Sequence, residues 1–305
     1  MRIGTRGSDL ALVQARSIAD ALKKREPGLD VKIVPIRTRA DRMQNVAIVE
    51  LGGKGVFVKE IETELIAGGI DIAVHSMKDV PVELPEGLEI VAYPKREDPR
   101  DVLISRGNVK IEELPRKAKI GTGALRRRMQ LLNVMRDLEM VPIRGNVQTR
   151  IRKIESEGLD GIILAAAGIR RMGLQGQVSQ FISTDFMLPA AGQGVLGIEI
   201  RSGERELKER LRFLNDPDTV TEITAERAFL RKLGGGCRVP IAGYAQLHGN
   251  VLQVRGMVGT ADGKRLLQET LRGPREDAES IGEAVAESIL AKGGLEILAA
   301  TEDYG

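Results

Sequence analysis

The chain opens with a strand-helix-strand unit, and that pattern constrains its fold more than any other. Arg2-Ile3-Gly4-Thr5 reads as a short strand, and Ser8 or Asp9 can cap a helix from Leu10 to about Lys24. Its apolar positions Leu12, Ala15, Ile18, Ala19 and Leu22 recur at helical spacing. Pro27-Gly28 stops the helix before a second strand, Val31-Lys32-Ile33-Val34-Pro35-Ile36. Two strands joined through a helix build a parallel sheet, so the chain is committed early to an α/β architecture.

The idiom recurs. A helix from about Lys59 to Ala67 leads into the strand Ile70-Asp71-Ile72-Ala73-Val74, followed by His75-Ser76-Met77-Lys78-Asp79-Val80-Pro81. These polar residues sit just past the carboxyl end of a strand, where open α/β sheets bind ligands. The preceding stretch, Thr38 to Gly55, is polar and then glycine-rich, and reads as a long loop of the kind that covers an active site. Phe57 follows it directly.

Further on, Lys119-Ile120-Gly121-Thr122-Gly123-Ala124 runs into a glycine turn, and Leu125 opens a helix through Arg136 with Arg126, Arg127 and Arg128 in its first turn. Positive side chains there oppose the helix dipole, so a bound anion would relieve them. Arg144-Gly145-Asn146 starts another helix, which carries Arg150, Arg152 and Lys153. The strand Gly161 to Ala165 leads to Arg170-Arg171. Between Arg116 and Lys153 there are 11 Lys/Arg against two acids, a net +9 within a chain whose total is +3. Nucleic acid is one partner for such a face, but aromatics are only 3% with no Trp, which leaves few stacking platforms. A small polyanion fits at least as well.

Leu188-Pro189-Ala190-Ala191-Gly192-Gln193-Gly194 reads as a small-residue crossover into the strand Leu196 to Ile200, with Gln193 placed either to bond a ligand or to brace a hinge. From about Asp218 a helix, strands near Ile241 to Leu247 and Val251 to Val258, and an amphipathic helix from Glu276 to Ala291 suggest a small α+β domain. Gly234-Gly235-Gly236-Cys237-Arg238 presents the only cysteine of 305 residues. Three glycines free the backbone to hold that thiol out of the core, and nearby Arg231, Lys232 and Arg238 favour the reactive thiolate. One cysteine and two histidines are too few for an ordinary zinc site, and no metal is expected. No apolar run reaches transmembrane length, and Met1-Arg2 leads into Ile3 without a signal-like segment, so the expectation is a cytoplasmic protein with no membrane partner.

Taken together and in order, several motifs resemble the porphobilinogen deaminase (hydroxymethylbilane synthase) family over nearly the whole chain. They are Thr5-Arg6-Gly7-Ser8 with Gln14, Gly53-Lys54-Gly55 with Phe57-Val58-Lys59-Glu60, His75 to Pro81, Leu125-Arg126-Arg127, Arg144-Gly145-Asn146-Val147 with Thr149-Arg150, Leu188 to Gly194, and Gly235-Gly236-Cys237 with Val239-Pro240. The resemblance implies two α/β domains of the periplasmic-binding-protein type plus a small C-terminal α+β domain. The divisions are 1–95 with 194–215, then 96–193, then 216–305. It implies a dipyrromethane cofactor joined by a thioether to Cys237. On this primer four porphobilinogens condense head to tail with loss of ammonia, and hydrolysis releases the linear tetrapyrrole of haem biosynthesis.

The resemblance also assigns roles. Asp79 is the catalytic carboxylate, and it contacts the cofactor along with Lys78, Ser76, Arg126, Arg127, Arg144 and Gly145. The substrate falls to Arg6, Ser8, Gln14, Phe57, Arg144, Arg150, Arg171 and Gln193. Porphobilinogen is the small-molecule partner, nucleic acid is not one, and the protein is expected to be a monomer. Where the family commonly has Gly-Thr-Ser-Ser, this chain has Gly121-Thr122-Gly123-Ala124, so a hydroxyl is missing at Ala124. Two rival readings remain at this point. A solute-binding module would leave Cys237 unexplained, and a nucleic-acid binder would leave both Asp79 and Cys237 idle.

Overall fold

The apolar alternation and caps read from the sequence become regular elements. The computed structural model describes residues 1–38, 55–234 and 239–302. The chain divides into two compact units, Met1–Glu97 with Gly194–Val220 and Asp98–Gln193 with Thr221–Gly305. The expected loop from Thr38 to Gly55 falls, over residues 39–54, outside the described residues, and so does Cys237.

In the first unit, strand β1 (Arg2–Arg6) is followed by helix α1 (Asp9–Arg25), whose N-cap Ser8 accepts the Ala11 N–H through its hydroxyl. Asp9 in the first turn and Lys23, Lys24 and Arg25 in the last complement the helix dipole. Then come β2 (Lys32–Ile36), α2 (Lys59–Ile66), β3 (Ile72–Ser76) and β4 (Leu88–Ala92), and later β10 (Leu196–Arg201) with α6 (Arg205–Leu211). The sheet order is β2-β1-β3-β10-β4. The pairs β1–β2 and β1–β3 are parallel, and β10 runs antiparallel to both β3 and β4. Ile3, Ile18, Leu22, Ile72 and Ile198 form one core against α1, and Ile61, Leu65, Ile70 and Ala73 form the other against α2. Each fully buried aliphatic of this kind contributes about 1.5–3 kcal/mol.

The second unit repeats the architecture. It contains β5 (Asp101–Ser105), β6 (Lys119–Gly121), α3 (Leu125–Val134), β7 (Glu139–Val141), α4 (Val147–Ser156), β8 (Gly161–Ala165), α5 (Ala166–Arg171) and β9 (Gln180–Ile182). The order is β7-β6-β8-β5-β9, with β6 parallel to β7 and β8, and β5 antiparallel to β8 and β9. Helix α3 ends at Val134, short of the expected Arg136. The Met135 N–H still reaches the Leu131 carbonyl, but Met135 itself has left helical geometry.

The same unit holds an antiparallel sheet of β11 (Ile241–His248), β12 (Val251–Gly259) and β13 (Leu266–Pro274), packed with α8 (Ala278–Ile289), α9 (Leu295–Glu302) and the end of α7 (Pro217–Lys232). Phe229 fills its centre at 0% exposure. A Cβ at Gly256 would come within 2.4 Å of the Phe229 ring, so that strand position must be glycine. The expected helix Glu276–Ala291 is regular only from Ala278 to Ile289, after which the chain unwinds through a wider turn containing Gly293 at φ 93°.

Candidate active site

In the first unit, β3 ends at Ser76 and turns through the short helical segment Met77–Asp79, which carries Asp79 on the rim of a pocket open to solvent. Arg6, Ser8, Gln14, Phe57 and Ser76 share its wall. Gln14 is almost fully buried and donates from Nε2 to the Ser76 hydroxyl at 3.1 Å, which fixes both polar groups at the pocket floor. The Arg6 guanidinium lies 4.7 Å from the Phe57 ring centroid, a cation–π contact that orients a positive group beside the cavity. Lys78 is on the same turn as Asp79 but is not among the lining residues. The turn is held from beneath. Met77 donates its N–H to the Val195 carbonyl at 2.9 Å, and its side chain lies over Gly197, where a Cβ would be 2.2 Å from the sulfur.

Behind that wall is a buried acid cluster that the sequence did not reveal. His75 on β3 makes a 3.0 Å contact through Nε2 with Glu199 Oε2 on β10, both side chains at 2% exposure or less. Glu62 on α2 faces this pair. Burial, and then the Glu199 charge, push its carboxyl up to about 7, with His75 working in the opposite direction.

In the second unit the arginines behave differently from one another. Arg126 and Arg127, each 5% exposed, converge on Asp101, the first residue of β5, which has no exposed surface. Arg126 donates from Nη1 to Asp101 Oδ2 at 2.8 Å and to the Leu188 carbonyl at 2.7 Å. Arg127 donates from Nε and Nη2 to Asp101 Oδ1 at 3.1 and 2.8 Å. Gln193 Nε2 adds a bond to Asp101 Oδ1 at 3.0 Å and one to the Pro99 carbonyl at 2.7 Å. Burial alone would raise the Asp101 carboxyl, but the two guanidiniums outweigh it and hold the group well below the usual carboxylate range. Burial lowers the proton affinity of Arg127, and neighbouring Arg126 adds to this while Asp101 opposes it. One anion at the start of α3 is thus an internal side chain, a single carboxylate against two guanidiniums. At Ala124, the N-cap of α3, no side-chain cap bond is made, and the Ala124 N–H is itself engaged by Thr122 Oγ1 at 3.2 Å.

A second arginine group is more open. Asn146 caps α4 by accepting the Thr149 N–H at 2.8 Å. Gly145 stands at φ 110°, with space closed to a Cβ by Thr149 at 2.7 Å. Its carbonyl accepts Arg150 Nε at 2.8 Å. Arg144, Arg150 and Arg171 are half-buried, and Arg152 is exposed.

The structure therefore gathers Arg6, Ser8, Gln14, Phe57, Ser76 and Asp79 around one pocket. It gathers Arg126, Arg127 and Gln193 around Asp101, and Arg144, Gly145 and Arg150 at the start of α4. Sequence reasoning overlooked Asp101, Glu199 and Glu62. An acid within an apolar strand, as in Asp101-Val102-Leu103-Ile104 or Gly197-Ile198-Glu199-Ile200, was the available signal, because such acids are rarely buried without a partner. Among the described residues no group of three or more His, Cys, Asp or Glu could hold a metal ion, and no helix is long and apolar enough to cross a membrane.

Comparison with known proteins matches two family models. Residues 1–209 match "Porphobilinogen deaminase, dipyromethane cofactor binding domain", and residues 220–291 match the C-terminal domain of the same family. A porphobilinogen deaminase of Syntrophus aciditrophicus (strain SB) is 52% identical over 303 residues, 99% of either chain. One of Geobacter metallireducens is 52% identical over 299 residues, 98% of this chain and 94% of that one. Among solved structures, the periplasmic aliphatic sulphonate binding protein SsuA from Escherichia coli aligns at TM-score 0.41 and 17% identity, covering 76% of this chain and 69% of that one.

Proposed function

We propose, from the premise that this chain belongs to the porphobilinogen deaminase family, a division of labour among its residues. The enzyme joins four porphobilinogens head to tail on a dipyrromethane primer and releases the linear tetrapyrrole. When bound, the dipyrromethane supplies the pyrrole carbon to which the first substrate is joined. The residues present suit such a group. A pyrrole ring offers an N–H donor and carries acetate and propionate arms, and the pocket of the first unit pairs one carboxylate, Asp79, with the donors Arg6, Ser8 and Gln14.

Asp79 accepts pyrrole N–H groups, stabilises the positive charge that develops as ammonia leaves, and moves the proton shed after attack. Ser76 and Lys78 flank it on the cofactor side. Phe57 with Arg6 forms the wall against which a ring lies. Arg6, Ser8 and Gln14 in the first unit, and Arg144, Arg150 and Arg171 in the second, hold carboxylate arms, for which the planar guanidinium fork is suited. Arg126 and Arg127, with Gly145 freeing the backbone beside Arg144, serve the cofactor's arms, and Gln193 braces Arg126 and Asp101. Cys237 anchors the primer through sulfur and does not turn over.

The observation that carries this reading is the placement of Asp79 just past the end of β3, on the rim of a pocket that also presents the Arg6 guanidinium and the Ser8 hydroxyl. The three-part division 1–95 with 194–215, 96–193 and 216–305 is supported by a core cluster at each of the three sheets, while the last two parts lie in one compact unit and share a cluster of Met129, Leu188, Ala242, Tyr244 and Met257. We read the protein as a cytoplasmic monomer. Within the +9 segment, Arg126 and Arg127 are turned inward onto Asp101, which argues against a nucleic-acid face.

Replacing the anchor tests the assignment. Purified Cys237→Ser is expected to fold, to lack the added dipyrromethane mass by intact mass spectrometry, and to make no tetrapyrrole. A serine variant with full activity would overturn it.

A further inference from the structure

Asp101 has more partners than a structural ion pair needs. It occupies the first position of β5, fully enclosed, and takes five donor contacts. They come from Arg126 Nη1 and Nη2 at 2.8 and 3.2 Å, Arg127 Nε and Nη2 at 3.1 and 2.8 Å, and Gln193 Nε2 at 3.0 Å. A second guanidinium beside a single carboxylate leaves one unit of positive charge uncompensated, in a place where an unpaired charge is costly. The charge lies in the first turn of α3, so the helix dipole adds to the imbalance rather than relieving it.

We propose that Asp101 is a positioning residue for carboxylate recognition: it fixes the planes of Arg126 and Arg127 and trims their combined charge to one unit, so that the pair accepts a single carboxylate arm of the bound pyrrole chain. This rests on the reading of Arg126 and Arg127 as cofactor-binding residues. Asp101 itself touches no ligand and acts through the two guanidiniums. Gln193 contributes by occupying Asp101 Oδ1 while its own Oε1 lies 3.5 Å from Arg126 Nη2, tying the crossover segment to the same carboxylate.

The test uses the full chain and reads the fraction of purified protein that carries the dipyrromethane mass, beside the melting temperature. Asp101→Asn keeps the shape and removes the charge, and Asp101→Ala leaves a space that an added formate ion can enter. Truncating one member of a buried charge pair should lower the loaded fraction at least about tenfold. Formate, but not neutral formamide, should restore loading in Asp101→Ala.

Full loading of Asp101→Asn overturns the proposal. So does equal rescue by formate and formamide, or a loaded fraction that simply follows melting temperature, because packing alone produces those results. Failure of both variants to fold even with formate marks Asp101 as a structural latch and is equally contrary. Arg127→Ala serves as the reference. If it loads fully, the cofactor role of the arginines fails. If it stays empty while Asp101→Asn loads, only the inference about Asp101 fails.

Discussion

The two five-stranded sheets have the same layout of parallel and antiparallel neighbours and opposite charge problems. In each, the fourth strand runs antiparallel to its neighbours, and in each that strand carries a fully buried acid, Glu199 on β10 and Asp101 on β5. Glu199 meets one histidine and faces a second acid, Glu62, whose carboxyl is pushed up to about 7. Asp101 meets two arginines and is held far down. The first unit thus carries surplus acid beneath the pocket that presents Asp79, while the second carries surplus base. One architecture thus carries two charge environments, set by the acid on its antiparallel strand and by the partners that acid meets.

Between the two buried clusters, the larger expected effect lies on the basic side. Arg127→Ala leaves Asp101 with one guanidinium and loses the bond from Nη1 to the Ile163 carbonyl, so about 2–5 kcal/mol should be lost in primer binding or elongation. Exposed Arg152→Ala should stay within about 0.5 kcal/mol in the same assays. Stepwise elongation measured on both variants checks this. Equal, small effects would reduce the basic side to a solvated surface.

On the acidic side the effect is smaller and depends on pH. Glu62 binds its proton more tightly in the folded chain, about 7 against 4.5. Its contribution to stability is therefore fully present below pH 4.5 and is lost as pH rises through 7. Glu62→Gln, which cannot ionise, should match the parent near pH 4.5 and exceed it by about 2–3 kcal/mol at pH 8. Urea unfolding of both proteins across that range checks the point. Parallel stability curves would remove the contrast between the two sheets.

What could be read from the sequence follows the range of the interactions involved. The β1–α1–β2 unit was legible because Ser8, the helical spacing of Ala15, Ile18 and Leu22, and Pro27-Gly28 are local signals. So was the turn that carries Asp79, since polar residues directly after a strand mark it. Strand β5 was not. Its pairing joins Asp101 to Ala165 and Ile182, and nothing near Asp101 announces partners so far along the chain. The same distance hid the role of Arg126 and Arg127. Arginines in a helix's first turn ask for an anion, but only the fold says that the anion is an internal aspartate. Glu62, His75 and Glu199 come from three elements and meet only once β10 has inserted beside β3.

The most direct measurement is steady-state turnover of Asp79→Asn beside Asp79→Glu, with intact mass and melting temperature recorded on the same preparations. Asparagine keeps the shape and can accept a pyrrole N–H, but it has neither the charge nor a usable proton. Preorganised electrostatic stabilisation of this kind is worth about 3–4 kcal/mol, and proton transfer on the order of 100-fold or more. Asp79→Asn should therefore keep its fold and porphobilinogen binding while losing most of its turnover, and Asp79→Glu, which displaces the charge without removing it, should lose less. If Asp79 only shapes the turn into Val80-Pro81, asparagine would serve as well. Near-normal turnover of Asp79→Asn at an unchanged melting temperature would contradict the assignment of the chemistry to Asp79.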